Sequence, residues 1–376
     1  MIYLDNAASS FPKPKSVYRA AQYAVENLGA NPGRSAHKMS MATSSAVYEV
    51  REKLARFFNL SEPENVVFTA NTTHALNIAL NSAVKSGSRV ITTVLEHNAV
   101  LRPLYTLQKE KGCEILFFKP DMDDIFRTIS DFRRRCEGCD VCVVTSCSNV
   151  NGYRLPLCEI GKICREKGIT FIVDGAQGAG YFDIDMQKQC IDMLCIPSQK
   201  GLYGICGAGA LLVGKRWSDK MIPLVTGGSG VMSQSREMPP YLPERIEAGT
   251  LATVPIISMG AGVDFVKSVG TDEIYYRAFT CAGYLRERLF EIKGLDIYPS
   301  FGSIVLFNVQ NAQSDSVSQA LDDCNIAVRS GFHCAPCIHE YLNTGDYGAV
   351  RVSFGAFNSI RDCECLLKCV KKIKNF

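Results

Sequence analysis

The sequence lacks any run of eighteen or more apolar residues, so no segment of it reads as a membrane span. It also lacks a marked excess of either charge. Lys and Arg number 41 against 38 Asp and Glu, a net charge of +3, and the basic runs at 133–135 and 371–372 are short. That balance argues against nucleic acid and anionic membrane surfaces as partners. A signal peptide's apolar stretch is missing as well, since MIYLDNAASSF carries Asp5 there, and the expected location is the cytoplasm. No repeat period, low-complexity tract or long linker interrupts the chain, and no DNA-binding module is recognisable.

What is present fits an ordinary globular enzyme: 376 residues, 47% hydrophobic and 21% charged, enough for two domains or for one large α/β domain with a smaller lobe. Cysteine is abundant. Seventeen of them, an odd number spread through apparent strands and helices, do not resemble a disulfide framework and suit a reducing compartment. CEGCDVC at 136–142, with Cys147 beyond, invites comparison with iron–sulfur spacing, and a non-catalytic cluster scaffold on Cys136, Cys139, Cys142 and Cys147 is one alternative for the whole chain. The usual fourth-ligand spacing is missing, however, and Cys142 sits in DVCVVTSC, which reads as a buried strand where cysteine acts as a small apolar residue. Cys363, Cys365 and Cys369 lie in an apparent terminal helix and are read the same way, so no metal site is expected.

Apolar positions 17, 20, 21, 24, 25 and 28, then 46, 47, 50, 54, 57 and 58, follow helical spacing and predict two amphipathic helices. Short β-branched and apolar runs follow at 66–69, 89–94, 115–118, 141–145, 170–173, 192–196 and 209–213, most of them separated by helix-length segments. Such alternation predicts an α/β fold with a mostly parallel seven-stranded sheet flanked by helices and ligands at the carboxyl ends of the strands. From about 256 the pattern changes to a long helix, strands near 303–309 and 350–354, and a last helix from about 359, a smaller C-terminal α/β lobe. The expected division is a large domain at 15–255 and a small one formed by 1–14 with 256–376.

Chemistry concentrates where strands end. TFIVDGAQGAG (170–180) puts Asp174 at the end of a strand; alone, such a residue is a turn or helix cap. CIPSQKGLYG (195–204) sets Lys200 just after the next strand, where a lone lysine is commonly a solvated charge. Together, an amine and a carboxylate from neighbouring strand ends are what pyridoxal phosphate requires: the amine bonds the aldehyde and the carboxylate keeps the ring nitrogen protonated. FTANTTHALNIAL (68–80) starts a helix at Asn71, Thr72 and Thr73, offering hydroxyls and free amides to a phosphate, or simply an N-cap. LEHNAV (95–100) places His97 after another strand, able to stack on a planar ring or shuttle a proton.

With those elements the sequence resembles the class V aminotransferase group of fold-type-I pyridoxal-phosphate enzymes, and within it the cysteine desulfurases and selenocysteine lyases. The likeness runs nearly end to end: YLDNAASSFPKP (3–14), NPGRSAH (31–37), SNVNG (148–152), VDGAQ, QKGLYG, RIEAGT (245–250), RSGFHCAP (329–336) and VRVSFGAFN (350–358). It implies Lys200 as the Schiff-base lysine, Asp174 on the pyridine nitrogen, Gln177 near the ring hydroxyl and His97 over the ring. It further implies Thr72, Thr73, Ser198 and Gln199 around the phosphate, with Thr250 reaching across from the second subunit of a homodimer. Asn149, which also adjoins the cofactor, Arg351 and Arg34 would hold the substrate, L-cysteine or L-selenocysteine; an arginine's planar fork suits the carboxylate.

RSGFHCAP matches the loop that brings a nucleophilic cysteine over the cofactor, at Cys334. Its thiolate would take sulfur from the substrate as a persulfide for a protein acceptor, with Arg329 and His333 as cations that favour the thiolate. A structural cysteine explains neither the flanking pattern nor the companion motifs. Cys337 departs from the family pattern; it reads as a packing substitution, with a redox partner for Cys334 as the alternative. Pro197 and Gln199 stand where desulfurases commonly have Ser and His, which resembles true aminotransferases, and Gly33 replaces a histidine of selenocysteine-lyase relatives. The expected activity is cysteine desulfuration; the alternatives are a selenocysteine lyase, a C–S β-lyase or a class V aminotransferase.

Overall fold

The computed structural model of the protein describes residues 1–33 and 37–373. In chain order its elements are β1 (Ile2–Tyr3), α1 (Lys15–Asn27), α2 (Lys38–Phe57), β2 (Val66–Thr69), α3 (Thr72–Ala83), β3 (Arg89–Thr93), α4 (Asn98–Lys111), β4 (Glu114–Phe118), α5 (Ile125–Arg135), β5 (Val141–Thr145), α6 (Leu157–Lys167), β6 (Thr170–Asp174), β7 (Met193–Pro197) and β8 (Gly209–Val213). There follow α7 (Thr253–Val269), α8 (Thr271–Phe290), β9 (Leu295–Tyr298), β10 (Ile304–Val309), α9 (Ser314–Asp323), β11 (Ile326–Ala327), α10 (Pro336–Leu342), β12 (Val350–Ser353) and α11 (Ile360–Ile373). Each of the seven expected strand segments is a strand of one sheet, ordered β2-β8-β7-β6-β5-β3-β4. β7, β6, β5, β3 and β4 pair in parallel, and β8 runs against both of its neighbours.

Strands β5 to β8 are buried at every residue, as a sheet covered on both faces requires. Successive residues feed opposite cores: Phe171 and Leu194 pack with Leu54 and Phe118, while Ile172 and Met193 pack with Leu76 and Leu104 of α3 and α4. Helix α7 packs against α1 and α2. It also presses on the turn after Lys200, where a Cβ on Gly262 would lie 1.9 Å from the Leu202 carbonyl oxygen.

Toward the C-terminus the expected long helix is two, α7 and α8. The break falls at Gly270, whose φ of 94° lies outside helical geometry. β10 and β12 occur where strands are expected, in an antiparallel sheet ordered β12-β10-β9. Two-residue strands give no periodic signal, and the parallel pairing of β1 with β11, Ile2 opposite Ile326, is a feature the sequence does not announce. It ties the first residues to the segment that leads into the Cys334 loop. Among the described residues no helix is long and apolar enough to cross a membrane.

Candidate active site

The parallel register sets three strand ends side by side: Thr145 of β5 lies opposite Asp174 of β6, and Asp174 opposite Cys195 of β7. Just beyond them opens a cavity of about 190 Å³ lined by Thr72, Thr73, His97, Asn149, Asp174, Gln177, Gln199 and Lys200. A second cavity of about 380 Å³ shares Thr73, His97 and Ala99 with the first, and Cys334 stands in its wall.

Asp174 is buried, and its Oδ1 accepts the Ala176 N–H at 2.9 Å. Burial raises its pKa, opposed by that N–H and by Lys200. Lys200 is lowered to about 8 by burial, against the pull of Asp174 and with the push of Arg351 and Arg329. His97 caps α4, its Nδ1 accepting the Ala99 N–H at 3.0 Å. Burial first, then Lys200 and nearby arginines, lower its pKa to about 4, so at neutral pH it is a flat uncharged ring.

At the head of α3, Asn71 Oδ1 accepts the His74 N–H at 2.9 Å, an ordinary cap. Thr72 Oγ1, at the first position of this helix, is buried with no hydrogen-bond partner, and a helix N-terminus favours an anion. Gln177 Nε2 donates to the Ala7 carbonyl at 2.8 Å. The Gln199 carbonyl accepts from the Ser10 N–H at 2.9 Å and Lys13 Nζ at 2.8 Å, which straps the N-terminal segment over the lysine turn. Burial lowers Lys13 to about 8.

Ser198 does not line the cavity, although Pro197, Gln199 and Lys200 do; a Cβ on Gly204 would meet its Oγ at 2.1 Å. Thr250 is exposed, accepts from Asn31 Nδ2 at 3.1 Å and does not line its own chain's cavity. Arg34 lies outside the described residues. Arg351 is 1% exposed and already engaged: Nη2 bonds Asp5 Oδ1 at 2.6 Å, Nη1 donates to the Asn149 carbonyl at 2.7 Å, and Nε is buried without a partner. A substrate carboxylate that used Arg351 would therefore compete with Asp5.

The Cys334 loop is tied at several points. The Asn98 N–H donates to the Cys334 carbonyl at 2.7 Å, and Asn149 Nδ2 to the His333 carbonyl at 2.8 Å. Arg329 Nη2 lies 3.7 Å from Cys334 Sγ. His333 is not the expected cation. It is buried, burial drives its pKa well below the ordinary value with Arg351 and His339 adding to it, and its ring is engaged by His339 and the Arg329 carbonyl. Cys337 packs against the Phe118 side of the core and burial raises its thiol, in keeping with a packing role.

Sequence reasoning missed Glu96, although it adjoins His97. Its fully buried carboxyl accepts at Oε1 from Thr93 Oγ1 at 2.7 Å and from the Thr145 N–H at 3.0 Å, leaving Oε2 unpartnered. Burial pushes it up to about 8, outweighing those bonds. The signal is a carboxylate directly after a strand in an otherwise apolar stretch. As for the cysteines, burial raises Cys136 and Cys139 to about 11 and Cys147 to about 12, and among the described residues no three metal-ligating side chains converge.

The family profile for Aminotransferase class-V matches residues 2–366. A probable cysteine desulfurase of Pyrococcus abyssi is 31% identical over 99% of this chain and 94% of its own length, and another of Halalkalibacterium halodurans is 30% identical over 100% and 94%. The apo structure of a cysteine desulfurase from Thermococcus onnurineus superposes with a TM-score of 0.90 at 29% identity, covering 100% of this chain and 94% of that one. Sheet order, strand-end cavity and these likenesses agree: the chain belongs to the class-V aminotransferase family, beside relatives that bear the name cysteine desulfurase.

Proposed function

We propose that the chain is a pyridoxal-phosphate-dependent cysteine desulfurase that converts L-cysteine to L-alanine and leaves sulfur as a persulfide on Cys334 for a protein acceptor. The observation that carries this reading is one strand-end cavity enclosing Asp174 and Lys200, with Cys334 in the wall of the compartment adjoining it. The relatives' names support it.

The donor set suits the cofactor. Thr72 Oγ1 lacks a partner at the head of a helix, and a buried carboxylate and a neutral histidine ring line the same cavity. Pyridoxal phosphate, when bound, supplies an aldehyde and a ring that accepts the electron pair left when a Cα–H bond breaks. Asp174 would hold the proton on the ring nitrogen, His97 would cover one face, and Gln177 would reach the ring hydroxyl. Thr72, Thr73 and Gln199 would hold the phosphate, and Asn149 the substrate carboxylate together with Arg351. Lys200 Nζ, poised near neutrality, would take and return the Cα proton.

Cys334 Sγ, as the thiolate, would attack the substrate sulfur; the S–S bond forms as the Cβ–S bond breaks, the bonding pair passes to Cβ, and Cβ takes a proton to become the methyl group of alanine. In sum, the Cys334 thiol and L-cysteine give the Cys334 persulfide and L-alanine, with atoms balanced. A hydroxyl at 334 could not carry sulfur onward. The protein would act as a homodimer in which exposed Thr250 serves the second copy, with residues 15–255 as the cofactor-holding domain and 1–14 with 256–376 as the domain that presents Cys334.

The test is to incubate the purified protein with L-cysteine under reductant and quantify alanine and sulfide, with Lys200→Ala and Cys334→Ala alongside. Lys200→Ala is expected to lose the visible absorbance of the bound cofactor. Cys334→Ala is expected to keep it while alanine formation falls about a hundredfold or more. Alanine formation that survives in Cys334→Ala would end the persulfide reading in favour of direct release of sulfide or selenide, whereas pyruvate with sulfide in place of alanine would mean a β-lyase, and a 2-oxo acid that keeps its sulfur an aminotransferase.

A further inference from the structure

A hydrogen-bond chain begins ten residues beyond Cys334 and ends beneath it. Thr344 Oγ1 lies 2.8 Å from His339 Nδ1, His339 Nε2 lies 3.0 Å from His333 Nδ1, and His333 Nε2 lies 3.4 Å from the Arg329 carbonyl oxygen. A carbonyl oxygen only accepts, so His333 carries its proton on Nε2 and accepts at Nδ1. His339 must then donate from Nε2 and accept at Nδ1, and the Thr344 hydroxyl donates. Every bond points the same way and both rings are uncharged. Burial keeps them so, lowering His339 to about 4 and His333 well below its usual value.

The chain is built into the fold. His333, His339 and Thr344 are all buried, the two imidazole planes lie within 15° of each other with centroids 5.2 Å apart, and the Phe332 ring meets His339 edge-on at 5.4 Å. His339 sits on α10 behind the loop, and the Thr344 N–H donates back to the His339 carbonyl at 3.2 Å.

The His333 ring inside this chain is carried by backbone in an unfavourable conformation. His333 has φ 51° and Cys334 φ 56°, two successive residues with side chains in the left-handed region. Such a turn persists only where its surroundings over-determine it. Asn98 and Asn149 hold the two carbonyl oxygens of this turn. Neither holds the His333 side chain, and His339 does.

We propose that His339, oriented by Thr344, is a positioning residue for Cys334: by fixing the His333 ring it holds the left-handed turn that sets Cys334 in the wall of the second cavity. This inference rests on the reading of Cys334 as the nucleophile. The chain as a whole sets His333 as a rigid neutral strut under the loop, the opposite of the cation its sequence position suggests.

The experiment compares holoenzyme carrying His339→Leu, His339→Gln and Thr344→Val, measuring kcat and KM for alanine formation from L-cysteine, the visible absorbance, and iodoacetamide alkylation of the Cys334 peptide by mass spectrometry. Misplacing the thiol is expected to lower kcat about tenfold or more in His339→Leu, with KM and absorbance within about twofold and Cys334 alkylation altered. His339→Gln, whose amide nitrogen can donate to His333 Nδ1, is expected to recover to within about threefold of the parent, and Thr344→Val to fall between the two. A His339→Leu kcat within about threefold of the parent overturns the proposal, as does a folded Gln variant as impaired as Leu. Should His339→Leu fail to fold, Thr344→Val decides: lowered kcat at unchanged KM upholds the proposal, and unchanged kcat overturns it. Activity surviving in Cys334→Ala would instead remove the nucleophile reading, whereas an inactive Cys334→Ala beside an unaffected His339 series removes only the positioning role.

Discussion

The main-chain N–H of Asn98 donates to the carbonyl of Cys334 at 2.7 Å, which binds the residue after the cavity's histidine to the candidate nucleophile. Asn98 is also the first residue of α4, and His97 before it is extended at φ −72° and ψ 155°. Proline is tolerated at a first helical position and favours an extended residue ahead of it. Asn98→Pro should therefore spare the helix while removing the donor and placing a ring carbon against the Cys334 carbonyl. The expected outcome is a stability change of about 1 kcal/mol, a kcat for alanine formation lowered about tenfold, and unaltered cofactor absorbance. Urea unfolding and the alanine assay check the two halves separately.

Among the described residues three buried hydroxyls, those of Thr72, Ser198 and Ser300, have no hydrogen-bond partner, and of these only Thr72 lines the cavity. Removing an unsatisfied buried hydroxyl leaves apoprotein stability unchanged or raises it by about 1 kcal/mol, and both Thr72→Val and Ser198→Ala should show this. They should part company on adding pyridoxal phosphate. Loss of one hydrogen bond to a charged phosphate costs about 1.5–3 kcal/mol, so Thr72→Val is expected to bind the cofactor about tenfold or more weakly. Ser198→Ala should bind it as the parent does. A titration showing equal losses in both would return Ser198 to the phosphate's surroundings.

Much of this arrangement is legible in the sequence because the sheet is buried on both faces. Continuous apolar runs such as VCVVT and TFIVD then mark each strand, and the polar residues that follow them mark the carboxyl ends. Asp174, Lys200, His97 and Thr72 are found together because all four obey that rule. Ser198 is set apart from them because a motif gives spacing and not orientation, and its neighbours at 197 and 199 line the cavity. His333 is misread as a cation because charge depends on burial, which a motif does not show. His339 lies only six residues from His333, yet no motif pairs the two, and Asp5 reaches Arg351 through long-range packing alone.

Glu96 makes stability depend on pH in a defined direction. Its native pKa is raised to about 8, mainly by burial, against about 4.3 in an unfolded chain. Below the unfolded value both states are protonated. Between the two values the native state keeps a proton that the unfolded state has released, so the stability that neutral Glu96 contributes is lost as pH rises toward about 8. Glu96→Gln keeps an acceptor for Thr93 and Thr145 and cannot ionise. It is expected to match or fall below the parent at pH of about 5 and to exceed it by about 1–3 kcal/mol near pH 8.5. Urea titrations of both proteins at the two pH values check this, and parallel pH profiles would show that Glu96 is not the titrating group.

Lys200 gives the second pH dependence. Only a neutral amine can bond an aldehyde, and burial has brought this one to about 8. At pH 7 about a tenth of it is then neutral, on the order of a hundredfold more than for a lysine of ordinary pKa near 10.4. Loading of the apoprotein with pyridoxal phosphate, measured as cofactor fixed by borohydride reduction at early times, should rise with pH and level off above about 8. Because Asp174 raises the Lys200 pKa, Asp174→Asn should move that midpoint to lower pH even as it weakens catalysis. A parent midpoint near 10 would mean that the amine is solvated rather than enclosed by the cavity, and an upward shift in Asp174→Asn would mean that the two side chains do not share it.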